Sequence, residues 1–265
     1  MFDVLIDEMT ATLMAMTLAM ARLFPCLLLV PVFAFREFRG MLRTAIVIAL
    51  AVMPMPTIKF ALVGEDLGWL VLVGLLFKES LIGFLIGLLL AMPFWMYESI
   101  GCLFDNQRGA LAGGQINPAL GDNTSELGHM FKQMLVMLLI VAGGYTALTQ
   151  IIWESYAFWP PTQWFPVFTA QGLEHLLALL AASFRVMVLY AFPLVGLLLM
   201  IEFGMAVLNL YGPQLQVSIL AMPVKSLVGL AFFVVYFSML SWLGTAQLDN
   251  IRDLKHVLPL LIQAP

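Results

Sequence analysis

The feature that most constrains this chain is a series of six apolar blocks, each long enough to cross a lipid bilayer. They cover residues 9–35, 41–63, 67–104, 127–153, 173–210 and 223–248. A spanning helix needs about 20 apolar residues, because the hydrocarbon core is about 30 Å thick and an α-helix rises about 1.5 Å per residue. In lipid every backbone polar group must be satisfied within the protein, so such blocks fold as helices. Composition agrees: 62% of the residues are hydrophobic and 11% charged, against about 25% charged in soluble domains. The expected fold class is all-α, a polytopic membrane-protein-like bundle of long, kinked helices and helical hairpins.

Two blocks exceed one crossing. Residues 67–104 and 173–210 would each run about 55 Å as a continuous helix, and each holds an internal proline, Pro93 and Pro193. Proline removes a helix hydrogen bond and crowds the preceding turn. Each block is therefore expected to be a bent helix or a tight hairpin. Both carry a glutamate and a glycine after that proline, Glu98 with Gly101 and Glu202 with Gly204, and end near a glutamine, Gln107 and Gln214. This is a faint internal repeat that chance also produces.

Several function classes lack support. The net charge is −4 and the basic residues are scattered, so no nucleic-acid footprint is present. Cys26 and Cys102 lie in apolar stretches without CxxC or His-paired spacing; they read as small buried hydrophobes. No GxxxxGK[ST], GxSxG or HExxH pattern occurs, and His129, His175 and His256 are isolated. No catalytic, metal or cofactor site is expected. Asp3, Asp7 and Glu8 stand where a secretory signal would be basic, so the first apolar block is expected to be retained.

Charges interrupt or border the apolar blocks: Arg22, Lys78, Glu79, Glu98, Lys132, Arg185, Glu202 and Lys225. A charge at the bilayer centre costs about 2.5–3.5 kcal/mol on insertion scales, so such groups face a partner, the protein interior or water. Three readings stay open: pairing between helices or subunits, a proton or substrate relay, and helices that do not sit in lipid at all. Lys78 and Glu79 are adjacent and point about 100° apart, so at least one is expected to meet another helix or subunit. Gly83 and Gly87 form a GxxxG pair that lets helix backbones approach. Placing Arg36, Arg39 and Arg43 in the cytoplasm leaves Arg252 and Lys255 outside if every block crosses once, against the positive-inside rule. Trp159, Pro160, Pro161, Trp164 and Pro166 form an aromatic, proline-rich loop suited to a membrane–water boundary or to rigid packing on protein.

Two polar segments are the most distinctive. The first reads Asp105-Asn106-Gln107-Arg108-Gly109, then Gly113-Gly114-Gln115-Ile116-Asn117-Pro118, and continues to Glu126. Its glycines permit positive φ and Asn117-Pro118 marks a turn. The second reads Pro213-Gln214-Leu215-Gln216-Val217, followed by Pro223-Val224-Lys225. Here the chain turns and the next helix is expected to begin near Pro223.

Together these segments resemble the SctT/FliR family (SpaR, YscT and HrcT in different systems), the T subunit of the type III secretion export gate. The run at Asp105–Gly109 looks like the family's loop motif, and Pro213, Gln214, Gln216, Pro223 and Lys225 follow its other signature, with Gln216 where asparagine is usual. Arg22 with Pro25, Pro31 followed by Arg43, and Lys78-Glu79 with Gly83 and Gly87 also match in order.

The resemblance implies a non-enzymatic gate subunit without cofactors. It implies hetero-oligomers with SctR-like and SctS-like subunits, contact with SctU-like and SctV-like components, and unfolded secreted proteins in transit. It also implies a complex largely on the periplasmic side of the inner membrane. An R-like part over about 1–170 and an S-like part over about 171–265 follow from it, as does a gate or plug role for Asp105, Asn106, Gln107, Arg108, Gly109, Gly113, Gly114, Gln115, Asn117 and Pro118. Lys78, Glu79, Gly83 and Gly87, with the second signature, would be structural or at subunit interfaces. Two alternatives remain: a small-molecule or ion transporter using Glu79, Arg185 and Glu202, whose interrupted helices and repeats would suit that class, and the flagellar export counterpart.

Overall fold

A computed structural model describes residues 2–32, 40–62, 68–109, 125–164, 167–168, 170–212 and 217–263. The elements are α1 (Phe2–Leu29), α2 (Met41–Ala51), α3 (Met55–Leu62), α4 (Trp69–Gln107), α5 (Glu126–Val141), α6 (Gly144–Phe158), β1 (Val167–Phe168), α7 (Ala170–Tyr211), α8 (Val217–Leu261) and β2 (Ile262–Gln263). The only strand residues among those described are the antiparallel two-residue pair β1–β2. The fold is all-α.

Four helices are long and apolar enough to cross a membrane, and two bent pairs bring the number to six. These match the six apolar blocks. Each of the two over-long blocks is one continuous helix, α4 of 39 residues and α7 of 42, with Pro93 and Pro193 inside. The hairpin option is thereby removed: one missing hydrogen bond does not end a helix flanked by long runs of Leu, Ile, Phe and Met.

The breaks fall instead in the blocks of ordinary length. α2 and α3 meet at 63°, and α5 and α6 at 85°. Pro54 lies between the first pair, where its missing N–H and fixed φ favour a break. Between the second pair Gly143 takes φ 66°, a left-handed conformation that only glycine adopts readily. The second signature also differs from expectation: α8 begins at Val217, so Pro223 lies inside the helix.

The chain forms two compact units, each drawn from separate stretches of sequence. The first comprises Met1–Met92, Gly143–Leu177 and Asn250–Pro265. In it α1 packs against α2, α3 and α4. Gly83 and Gly87 of α4 face Arg22 and Cys26 of α1 so closely that a Cβ at Gly83 would collide with the Arg22 carbonyl. The GxxxG pair thus works as a close-approach surface.

The second unit comprises Pro93–Ala142 and Ala178–Asp249. Its centre is aromatic: Phe233 of α8 stacks on Phe131 of α5 at 5.3 Å and lies 6.4 Å from Phe104 of α4. The Tyr97 hydroxyl donates to the Leu240 carbonyl at 3.1 Å, so the buried phenol stays satisfied. The two glycines of the faint repeat have different surroundings. Gly101 abuts the backbone of Gly128, whereas Gly204 has open space around it.

Candidate functional site

Two polar clusters stand out, one in each unit. In the first, α1 places Arg22 and α4 places Lys78 and Glu79, all buried. Arg22 Nε donates to Glu79 Oε2 at 2.6 Å, Nη1 to Ser155 Oγ at 3.1 Å, and Nη2 to the Trp159 carbonyl at 2.7 Å. Its guanidinium also lies 4.2 Å from the centre of the Tyr156 ring, a cation–π contact strengthened by exclusion of water. Lys78 Nζ donates to the carbonyls of Pro161 at 3.0 Å and Gln163 at 2.7 Å, with Pro160 at 3.4 Å. It also sits 2.8 Å from Glu79 Oε1, an electrostatic contact rather than an aligned hydrogen bond.

The cluster therefore holds two cations and one carboxylate. Its positive excess lies against the carbonyl-rich end of α6 and the turn that follows. The last carbonyls of a helix have no partner within it and carry a partial negative charge. Arg22 and Lys78 satisfy carbonyls just beyond that end and lock the Trp159–Gln163 turn to α1 and α4. Lys78 and Glu79 do diverge from their helix. The long lysine stem nevertheless bends back, so both partners that the sequence left open lie within this chain.

In the second unit the node is Asp105. The sequence suggested a loop from Asp105 onward, but Asp105, Asn106 and Gln107 form the last turn of α4, and Arg108 and Gly109 the turn after it. Asp105 is buried and accepts from Arg108 Nε at 2.8 Å, Ser125 Oγ at 2.6 Å and the Leu127 amide at 3.0 Å. Ser125 in turn caps α5, its hydroxyl accepting from the Gly128 amide at 2.8 Å. A carboxylate at a helix N-terminus meets free N–H groups and a favourable dipole. Gly109 turns the chain with φ 83°. The exit from α4 and the entry to α5 are thus tied at one point.

Of the other suggested residues, Gly113, Gly114, Gln115, Asn117, Pro118, Pro213, Gln214 and Gln216 lie outside the described residues. Lys225 of α8 pairs with Glu202 of α7 at 2.9 Å, and Gln107 Nε2 donates to the same carboxylate oxygen at 3.2 Å. Lys132 pairs with Glu98 at 2.6 Å. Of the residues that the transporter reading invoked, Glu79 is held by Arg22 and Lys78, Glu202 is held by Lys225, and Arg185 is exposed. Sequence reasoning missed Ser155 and Tyr156, which carry no local signal, and it singled out the Trp159–Trp164 loop without its link to Lys78. It also missed Ser125, whose place just before an apolar run is a helix-start signal. No group of three or more potential metal ligands occurs among the described residues.

Comparison with known proteins gives the family. The model for "Bacterial export proteins, family 1" matches residues 13–251. The chain is 31% identical over 258 residues to Yop proteins translocation protein T of Yersinia pestis, covering 96% of this chain and 98% of the relative. It is 27% identical over 240 residues to surface presentation of antigens protein SpaR of Salmonella typhimurium, covering 90% and 88%. It is 26% identical over 231 residues to flagellar biosynthetic protein FliR of Bacillus subtilis, covering 85% and 87%. The chain belongs to bacterial export protein family 1, the SctT/FliR family.

Proposed function

We propose that this chain is a non-enzymatic subunit of a type III secretion export gate, helping to form and close an inner-membrane pore for unfolded proteins. Near full-length similarity to a Yop translocation protein supports a secretion-apparatus subunit. The observation that carries the finer reading is the Asp105 node. It ties the end of α4 to the start of α5, at the described residues that flank the polar segment 110–124. On this reading that segment, with Asp105–Gly109, is the plug. SctR-like and SctS-like subunits complete the ring, SctU-like and SctV-like components adjoin it, and the assembly stands largely on the periplasmic side. The R-like and S-like parts, about 1–170 and 171–265, belong to the same reading.

Co-expression with the SctR-like and SctS-like subunits followed by native mass spectrometry tests membership. One copy of this chain in a stable hetero-complex is expected; a monomer that ignores both would refute it. Gly113→Val with Gly114→Val, or deletion of residues 109–121, tests the plug. Ion leakage should change while assembly persists, and unchanged leakage and secretion would remove the assignment. The match to FliR of Bacillus subtilis supports a second reading, the flagellar counterpart. The class of substrate lost from the medium when the chain is deleted separates the two.

A further inference from the structure

Of the eight charged side chains that the sequence singled out in or beside apolar blocks, seven are paired among the described residues. Arg22 and Lys78 meet Glu79, Lys132 meets Glu98, and Lys225 meets Glu202. The eighth is Arg185 of α7. It is exposed and has no ion-pair or hydrogen-bond partner among the described residues.

Its surroundings say what is missing. Phe184, Val188, Leu189 and Phe192 are each more than half exposed. Positions 185, 188, 189 and 192 recur at the spacing of one helix face. Ala181 and Ala182, one turn earlier, leave room for a close helix approach. The apolar stretch of α7 spans 40 residues, with only 17% of its most apolar window buried. Forty helical residues trace about 60 Å, roughly twice the hydrocarbon core of a bilayer. Lipid therefore covers about half of that length, and the remaining apolar surface requires protein. An anionic headgroup could meet the guanidinium, but the apolar turns on one side of Arg185, where Leu177 and Phe184 are exposed, would then stand outside the hydrocarbon core.

We propose that this face of α7 docks an apolar helix of another membrane subunit, one that carries an aspartate or glutamate level with Arg185. A guanidinium and a carboxylate pair in a fixed planar geometry, so the contact sets register as well as partner. The inference rests on the reading of the chain as one subunit of a multi-subunit apparatus.

The test uses the full chain with the rest of its apparatus in its own host. Arg185→Glu is expected to lower its content in the membrane complex about tenfold or more on native gels, since a like charge replaces a buried pair. Arg185→Lys should retain most of it. The isolated Arg185→Glu chain in detergent should keep the wild-type Tm, which separates lost docking from lost folding. A photo-crosslinking benzoylphenylalanine at Phe192 should capture an apolar helix of another subunit, and replacing that helix's carboxylate with arginine should restore Arg185→Glu. Normal incorporation of Arg185→Glu, a fall in its Tm when isolated, or a crosslink only to lipid or to a second copy of this chain would overturn the proposal. If even the wild-type chain enters no complex, the gate-subunit reading itself fails. If the wild type enters and Arg185→Glu enters equally, only this inference does.

Discussion

Arg22 Nε donates to Glu79 Oε2 at 2.6 Å, joining residues 57 positions apart through two side chains sealed from solvent. Glu79 in turn faces Lys78, so one carboxylate serves two cations. The pairing is inseparable from the close approach of α1 and α4 at Gly83 and Gly87, which brings the charges within reach.

Breaking this pair from one side should be costly. Arg22→Met leaves Glu79 short of a partner and frees the Ser155 and Trp159 oxygens, and loss of one member of a buried pair costs about 3–5 kcal/mol. The expected result is a large fall in Tm for the detergent-purified chain. Arg22→Met combined with Glu79→Gln should cost less than the two single changes added together. Strict additivity would show that the two residues act independently.

Lys78 should not be replaceable by arginine. Its compact ammonium collects carbonyls of the 160–163 turn together with Glu79, and a planar guanidinium cannot reproduce that geometry in a closed space. Lys78→Arg and Lys78→Met are both expected to speed amide exchange at Gln163. Wild-type protection in Lys78→Arg would mean that charge alone suffices.

The glycines should divide by what lies opposite them. Gly83→Ala drives a methyl into the Arg22 backbone and is expected to lower Tm markedly. Gly204→Ala meets open space and should be neutral or stabilising by about 0.5–1 kcal/mol through helix propensity. Equal effects at the two positions would contradict the packing described here.

Asp105→Ala should loosen the start of α5. It leaves the Leu127 amide and the Ser125 hydroxyl without their acceptor, at about 1–3 kcal/mol for unsatisfied buried groups. Hydrogen exchange is expected to rise first at Leu127 and Gly128. Asp105→Asn, which keeps an acceptor oxygen, should lie between Ala and wild type. Unchanged exchange in Asp105→Ala would show that the cap by Ser125 is sufficient alone.

The polar run at Asp105 shows where reading a sequence stops short. Its glycines and amides resemble a free loop, yet its first three residues complete a helix and its aspartate is buried. The partner that buries it, Ser125, returns only after 20 positions. Likewise, Pro93 and Pro193 suggested either a bent helix or a hairpin, and the helix continues through both, while breaks of 63° and 85° fall at Pro54 and Gly143.

The sequence by itself determined the fold class and the positions of the apolar segments, because bilayer thickness imposes a length on helices that is visible in one dimension. It also marked Lys78, Glu79, Gly83 and Gly87 as residues with neighbours to meet. Only the tertiary structure decided who those neighbours are. Arg22 reaches Ser155 and Trp159 across 133 and 137 positions, and no local pattern encodes such distances. Pairing a buried charge depends on which helices come close enough to exclude water, which is a property of packing rather than of any segment alone.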